Sequence, residues 1–384
     1  VHQPARILIV RPSALGDVCR TVPVLASLRR AWPEARIDWV VRDTFVPAVA
    51  AHPALNRAIA FPRARFARWW RSASSTMAML RWAKQLHQTH YDLVLDCQGL
   101  SRSALISLAT GAPRRIGLRR AREFGWLAYT QRISSQAHQH TVNIMLALIE
   151  AIGIEPVRDM QLYVDDEAQQ WWRSTREQRG IDQPYVVLAP TARWITKRWP
   201  IERWSAMIEP LRQRGFASCV VIGAPDEKPQ VRSLVDANID GVASVIGEAD
   251  VARTMAVLAD ADLVIAHDSA PLHMAVGFDT PCVGLFGPTD PATVGPYGGR
   301  SRVVCASHNH LPSSQQQQQR AREQTTYRDR RLGDRLMRSI TVEQVLTAVD
   351  ELRDEAAERR AVQHPSSVCQ PRSDGAATST SPSR

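Results

Sequence analysis

Short apolar runs recur along this chain, each followed by a longer stretch with helical spacing. Arg6 to Val10, Ile37 to Val41 and Tyr91 to Asp96 begin the series. Tyr185 to Ala189, Ser218 to Ile222, Ala243 to Ile246, Asp262 to Ala266 and Cys282 to Phe286 repeat it. Val18 to Ala31, Ile201 to Arg214 and Val251 to Leu258 are helix candidates between the runs. Strand, helix, strand in series gives a parallel sheet covered on both faces. The pattern starts near residue 6 and again near residue 185, across polar sequence from Glu155 to Pro184. The expected fold is α/β, with two Rossmann-like parallel-sheet domains facing across a cleft. The expected division is a first domain at 1–160, a linker at 161–184 and a second domain at 185–340. A closing helix at 341–361, apolar at Val342, Val345, Leu346, Val349 and Leu352, precedes a disordered tail at 362–384, rich in Ser, Pro, Thr and Gly. Gln315 to Gln319 reads as part of a polar loop.

Composition narrows the class. The 384 residues, 44% apolar and 22% charged, suit large globular cores and exclude collagen-like, fully disordered and small disulfide-stapled chains. Cys19, Cys97, Cys219, Cys282, Cys305 and Cys369 form no CxxC pair, so neither a zinc site nor a disulfide framework is expected. No apolar run approaches the length of a membrane span, and no signal-type segment precedes the first strand. These features predict a reducing, cytoplasmic setting. The net charge of +10 favours an anionic partner. Between Arg57 and Arg132 stand 14 Arg or Lys against Asp92, Asp96 and Glu123, a local +11, with Trp69 and Trp70 among them. Such a mixture fits single-stranded nucleic acid, a membrane interface or a phosphorylated ligand. An ordinary solvated face accounts for most of the arginines taken singly.

Four loops follow strands and would gather at the carboxyl edges, where open parallel sheets bind ligands. Ser13 to Val18 (SALGDV) puts Asp17 at a helix start. On spacing alone the plainer reading of Asp17 is a carboxylate that satisfies helix N–H groups. With one Gly, this turn is not the GxGxxG fingerprint. Pro190 to Pro200 carries Thr191 and Lys197, which suit a diphosphate; a solvated basic loop anchored by Trp194 and Trp199 fits as well. Gly223 to Glu227 (GAPDE) offers carboxylates to ribose hydroxyls, or is a polar turn. His267 to His273 (HDSAPLH) is expected to start a helix with Asp268 and Ser269 as caps, leaving its N–H groups for an anion. Gly287 to Pro291 is a further loop at that edge.

Together, SALGDV, the T-x-x-W-x-x-K-x-W-P stretch from Thr191, GAPDE, HDSAPLHMA and LFGPTDPATVGPYG (Leu285 to Gly298) resemble the bacterial lipopolysaccharide heptosyltransferases, glycosyltransferase family 9. The resemblance spans about residues 6 to 305. The basic stretch after Pro62, DCQGL (Asp96 to Leu100) and Arg120 to Glu123 resemble the type that adds the first heptose. It implies a GT-B architecture, an acceptor site in the first domain and a nucleotide-sugar site in the second. It implies inverting transfer of heptose from ADP-heptose to a Kdo-lipid A acceptor, with no metal or other cofactor. Asp17 matches the catalytic base, and Lys197 the lysine beside the donor phosphates. Thr191, Glu227, Asp268, Ser269, Ala270 and His273 match donor-binding positions. Arg63, Arg68 and Arg122 lie where acceptor-binding basic residues are expected. The partners implied are a nucleotide-sugar, an anionic lipid-linked saccharide and, peripherally, the inner face of the cytoplasmic membrane, without nucleic acid. The sequence sets no oligomeric state. The chain departs from the family where Asp268-Ser269-Ala270-Pro271 replaces the usual Asp-Thr-Gly, and Pro271 removes one N–H. A polar, Gln-rich stretch with His308 and His310 stands where many relatives carry cysteines. Transfer to another glycan or protein acceptor, nucleotide-sugar 2-epimerisation, and non-catalytic binding of nucleic acid or sugar nucleotide remain as alternatives.

Overall fold

A computed structural model of the chain describes residues 3–67, 69–136, 139–237, 239–306 and 329–363. Arg68, the glutamine run, His308, His310 and residues 364–384 lie outside the described residues.

In chain order the first half holds β1 (Arg6–Val10), α1 (Leu15–Cys19), α2 (Val22–Ala31), β2 (Arg36–Arg42), α3 (Pro47–Ala50), β3 (Arg57–Phe61), α4 (Arg63–Phe66) and α5 (Ala73–Gln88). There follow β4 (Leu93–Asp96), α6 (Ser101–Ala109), β5 (Arg114–Leu118), β6 (Gln131–Ile133) and α7 (Thr141–Glu150). The second half holds α8 (Asp166–Arg179), β7 (Tyr185–Ala189), α9 (Ile201–Gln213), β8 (Ser218–Val221), α10 (Arg232–Val235), β9 (Val242–Ser244), α11 (Val251–Ala259) and β10 (Leu263–His267). It ends with α12 (Ala270–Gly277), β11 (Cys282–Phe286), α13 (Pro291–Val294), β12 (Ser301–Cys305), α14 (Arg330–Ser339) and α15 (Val342–Gln363).

Each half is built on a six-stranded sheet, ordered β3-β2-β1-β4-β5-β6 and β12-β11-β10-β7-β8-β9. Every paired neighbour is parallel. The apolar runs form the centres of these sheets because both of their faces are covered. Ile7 to Val10 and Tyr185 to Ala189 are buried throughout. The strand order reverses between β1 and β4 in one half and between β7 and β10 in the other. Such switch points open crevices at the carboxyl edge, and the loops of interest lie there.

Two local expectations need correction. The helix expected over Val18 to Ala31 is two helices, broken at Arg20 and Thr21. Pro23 has no N–H for the carbonyl of Cys19, so α1 cannot run on into α2. Residues 161–184, read as a linker, contain the 14-residue α8, which docks on the second half. Asp165 caps it by accepting from the Ala168 N–H at 2.7 Å. The Trp172 indole donates to the Tyr185 hydroxyl at 2.9 Å, and Arg176 pairs with Asp260 at 2.6 Å. Helix α15 buries Val345, Leu346, Val349 and Leu352 in the core of the second half. Among the described residues no helix is long and apolar enough to cross a membrane.

Candidate active site

Asp17 occupies the third position of α1, just past the carboxyl end of β1. Its Oδ2 accepts from the Ala14 N–H at 3.2 Å, so the plain capping reading of Asp17 holds. Two guanidinium groups also grip it. Arg11 reaches Oδ2 at 3.0 Å and Arg20 reaches Oδ1 at 2.5 Å. Burial alone would push the carboxyl up; Arg11 and Arg20 outweigh it and hold Asp17 down at about 2. Arg11 also donates to the Cys97 carbonyl, and Gln98 accepts from the Ser13 N–H at 3.1 Å. The loops after β1 and β4 are thereby locked together at the first switch point.

The second half offers a different cluster. Lys197 follows β7 and meets Asp268, which follows β10, at 2.5 Å. The other carboxylate oxygen of Asp268 stands 3.8 Å from His273 Nε2. Burial disfavours the Asp268 anion, yet His273 and Lys197 hold its carboxyl far below the usual carboxylate range. Burial, then Arg20, lowers His273 to about 4, so its imidazole is neutral at pH 7. Burial likewise lowers His267 to about 4. Its Nε2 accepts from the Trp199 N–H at 2.9 Å, which puts the proton on Nδ1, facing the Thr191 carbonyl at 3.4 Å. The Thr191 hydroxyl donates to Glu227 at 2.7 Å, and the Ala224 N–H donates to the same carboxylate oxygen at 2.9 Å.

The expected caps of α12 are corrected. Ser269 stands at the N-cap but its side chain caps nothing, and Asp268 turns to Lys197 instead. Attraction between opposite charges in a buried setting outweighs one capping bond. The hydroxyl oxygens of Ser269 and Thr289 are buried with no hydrogen-bond partner in the protein. Ser269 opens α12 next to Asp268, the partner of Lys197, so its unpaired hydroxyl and the first-turn N–H groups of α12 lie one residue from that ion pair.

The two clusters meet. A Cβ on Gly16 would lie 2.8 Å from His273 Cδ2 and 3.5 Å from Ala270 Cα, so α1 and α12 touch where only glycine fits. Arg20 also donates across the halves to the Val294 carbonyl at 3.1 Å. Thr141 donates to the Thr293 carbonyl at 3.0 Å, and the Tyr297 hydroxyl donates to Asn143 at 2.5 Å. Four arginines gather nearby. Burial and then Arg102, Arg42 and Arg193 all depress Arg63, a repulsion that an anion would relieve. Arg193 belongs to the second half, so this cationic cluster spans both. Arg122 sits on an exposed loop tied to Gly99 through its N–H at 2.8 Å, and together with Arg102 it acts on Glu123.

The structure thus brings the Asp17 loop, at Gly16, against Ala270 and His273, and unites Lys197 with Asp268 and Thr191 with Glu227. Sequence reading missed Arg11, Arg20, His267, Arg42, Arg102 and Arg193. Arg20, three residues beyond Asp17, had a helical i,i+3 spacing that pointed to the pair. The other five meet their partners only through the sheets. Among the described residues no group of three or more His, Cys, Asp or Glu is placed to hold a metal ion.

Two parallel-sheet halves with polar clusters on facing carboxyl edges are the arrangement of the GT-B glycosyltransferases. The model of Glycosyltransferase family 9 (heptosyltransferase) matches residues 79–323, and the chain belongs to that family. It is 32% identical over 339 residues to lipopolysaccharide heptosyltransferase 1 of Pseudomonas aeruginosa, covering 86% of this chain and 91% of that one. It is 28% identical to lipopolysaccharide heptosyltransferase 1 of Salmonella typhimurium, over 80% of this chain and 96% of that one. The crystal structure of E. coli heptosyltransferase WaaC with ADP superposes with a TM-score of 0.67 at 26% identity, covering 83% of this chain and 99% of that chain. E. coli ADP-heptose LPS heptosyltransferase II shares the fold, with a TM-score of 0.72 at 20% identity over 92% and 99%.

Proposed function

We propose that this enzyme transfers heptose from ADP-heptose, with inversion at the anomeric carbon, to a Kdo-lipid A acceptor. The observation that carries the reading is the meeting of Asp17 with the Lys197–Asp268–α12 cluster across the two halves. A base for the acceptor and a cradle for the leaving diphosphate must face each other across one bond, and the close approach of α1 to α12 supports that reading.

Asp17 acts as the base. Held at about 2, it is a weak one, and its arginines keep it charged. Weakness is tolerable because the attacking hydroxyl becomes strongly acidic as its oxygen bonds to the anomeric carbon. The proton then passes to the carboxylate late in the step. Lys197 and the α12 N-terminus stabilise the diphosphate as the glycosidic bond breaks, with Ser269 donating to a phosphate oxygen. These groups supply the positive field without a metal. Glu227, steadied by Thr191, accepts from ribose hydroxyls. Asp268 orients Lys197, and His273 fixes Asp268. Arg63, with Arg42, Arg102 and Arg193, receives acceptor carboxylates and phosphates; Arg122 and Arg68 are assigned to the same acceptor. The enzyme works peripherally at the inner face of the cytoplasmic membrane, where a lipid-linked acceptor resides.

The test is a calorimetric donor scan with ADP-heptose, ADP-glucose, UDP-GlcNAc and GDP-mannose, run beside a Kdo-lipid A turnover assay and an Asp17→Ala variant. Selective ADP-heptose binding by both proteins, with turnover lost in the variant, is expected. Failure to bind any of these nucleotide-sugars overturns the proposal.

A further inference from the structure

The first half carries an apolar stripe that its own fold leaves uncovered. Helices α5 and α6 lie on one face of the first sheet, where Leu86 and Ile106 pack with Leu8, Val10 and Val94. Their opposite sides therefore share one outward direction. On that side α5 presents Met77 and Leu80, and α6 presents Leu105 and Leu108. A 3₁₀ turn at Gly125–Ala128 packs against α6 through Ala104, Ala121 and Ala128, and exposes Phe124 and Leu127. Phe124 is 74% exposed and Leu105 65%, values that no internal packing explains. Three pairs of large apolar residues, each spaced by three, thus lie on adjoining elements. Isolated exposed leucines need no explanation, but a contiguous set marks an interaction surface.

Charge selects the occupant. Arg65, Arg71, Arg81, Lys84, Arg102, Arg119 and Arg120 are exposed on the same segment. Its three acids do not offset them. Asp96 is buried, Asp92 accepts from the N–H groups of Ala5 and Arg6 beside β1, and Glu123 accepts from Ser101. A second copy of this chain would set one cationic face against another, which disfavours a symmetric dimer. Single-stranded nucleic acid wants flat aromatic platforms, whereas this stripe is mostly Leu and Met. An anionic bilayer matches both features: apolar side chains enter the acyl boundary and arginines meet the headgroups.

We infer that this face docks the enzyme on an anionic lipid bilayer, deepening the reading of a lipid-linked acceptor on which it rests. Placement supports the purpose. Phe124 follows the loop that Arg122 ties to Gly99, and the neighbouring Gln98 is bonded to the Asp17 loop. The stripe therefore runs to the cleft edge on the acceptor side, and docking brings that edge to the membrane surface.

Sedimentation with vesicles of phosphatidylcholine alone, and of phosphatidylcholine with phosphatidylglycerol, tests the inference. The native protein is expected to bind the anionic vesicles and to be released by salt. Leu105→Ser with Leu108→Ser, and Phe124→Ser with Leu127→Ser, should each lower vesicle affinity by about tenfold or more. Arg119→Gln with Arg120→Gln should weaken binding and flatten its salt dependence. All three variants should keep native circular dichroism, ADP binding and turnover of a delipidated, water-soluble acceptor. The inference is overturned if the native protein stays in the supernatant with anionic vesicles, or if the apolar variants bind as it does. It is also overturned if the native protein is a dimer that Leu105→Ser with Leu108→Ser splits. Vesicle binding without transfer from ADP-heptose would remove the functional reading and leave the docking face standing.

Discussion

Asp17 and Asp268 stand at equivalent switch points of the two halves, yet their surroundings differ in kind. Asp17 has two arginines and keeps 25% of its side chain exposed toward the cleft. Asp268 has one lysine, a neutral histidine and 7% exposure. The first carboxylate is charged and reachable; the second is charged and enclosed. Cation pairing is common to both carboxylates; what separates them is access.

The sharpest break of this contrast is Asp17→Asn. It keeps the shape, removes the proton acceptor and should lower transfer by about 10²–10⁴-fold. ADP binding measured by calorimetry should not change. Equal turnover in the variant would make Asp17 a cap and nothing more.

Lys197→Ala should strike stability as well as rate, because it strands a buried carboxylate. A loss of about 3–5 kcal/mol in denaturant melts is expected. Lys197→Met with Asp268→Leu should recover most of that stability and none of the transfer. Recovery of both would sink the phosphate role of Lys197.

Protons probe the enclosed half. His267 and His273 titrate near 4 in the folded protein, against an ordinary 6.5. The unfolded chain binds more protons between those values, so stability is full above about pH 6.5 and declines as pH falls toward 4. Each histidine accounts for roughly 3 kcal/mol once both states are protonated. Protonation of His267 at Nε2 would also break its bond from the Trp199 N–H. A melting temperature unchanged from pH 7 to pH 5 would contradict this.

Arg20→Ala gives the smallest expected change. The Asp17 carboxyl should rise from about 2 by roughly one pH unit, about 1.4 kcal/mol. Carbon NMR of the labelled carboxyl would show it. An unmoved titration would mean that Arg11 alone sets the charge.

Much of this was legible in the sequence, for a physical reason. β1, β7 and β11 have the bounds their apolar runs predict, because burial on both faces demands unbroken Val, Ile and Leu. β3, β5, β6 and β12 escaped notice. They lie toward the sheet margins and carry Arg57, Arg114, Arg115, Arg132 or Arg302. Asp17, Lys197 and Asp268 could be named because strand ends face the crevice. Their partners could not, since Arg11 with Cys97 and Lys197 with Asp268 are joined only by strand order. The enclosure that separates Asp268 from Asp17 has no sequence signature at all.

The parallel sheets have one consequence for how the chain reaches this state. No neighbouring strands join through a hairpin, so each pairing closes a loop. Within each sheet the longest loop belongs to the switch-point pair, Ile7 with Leu93 and Leu263 with Val186. Loop-closure entropy makes those two seams the costliest to form, and non-local pairing of this kind slows folding. Both clusters straddle such seams. The Lys197–Asp268 pair, and the bonds that tie the Asp17 loop to Cys97 and Gln98, therefore exist only once their half has closed its longest loop.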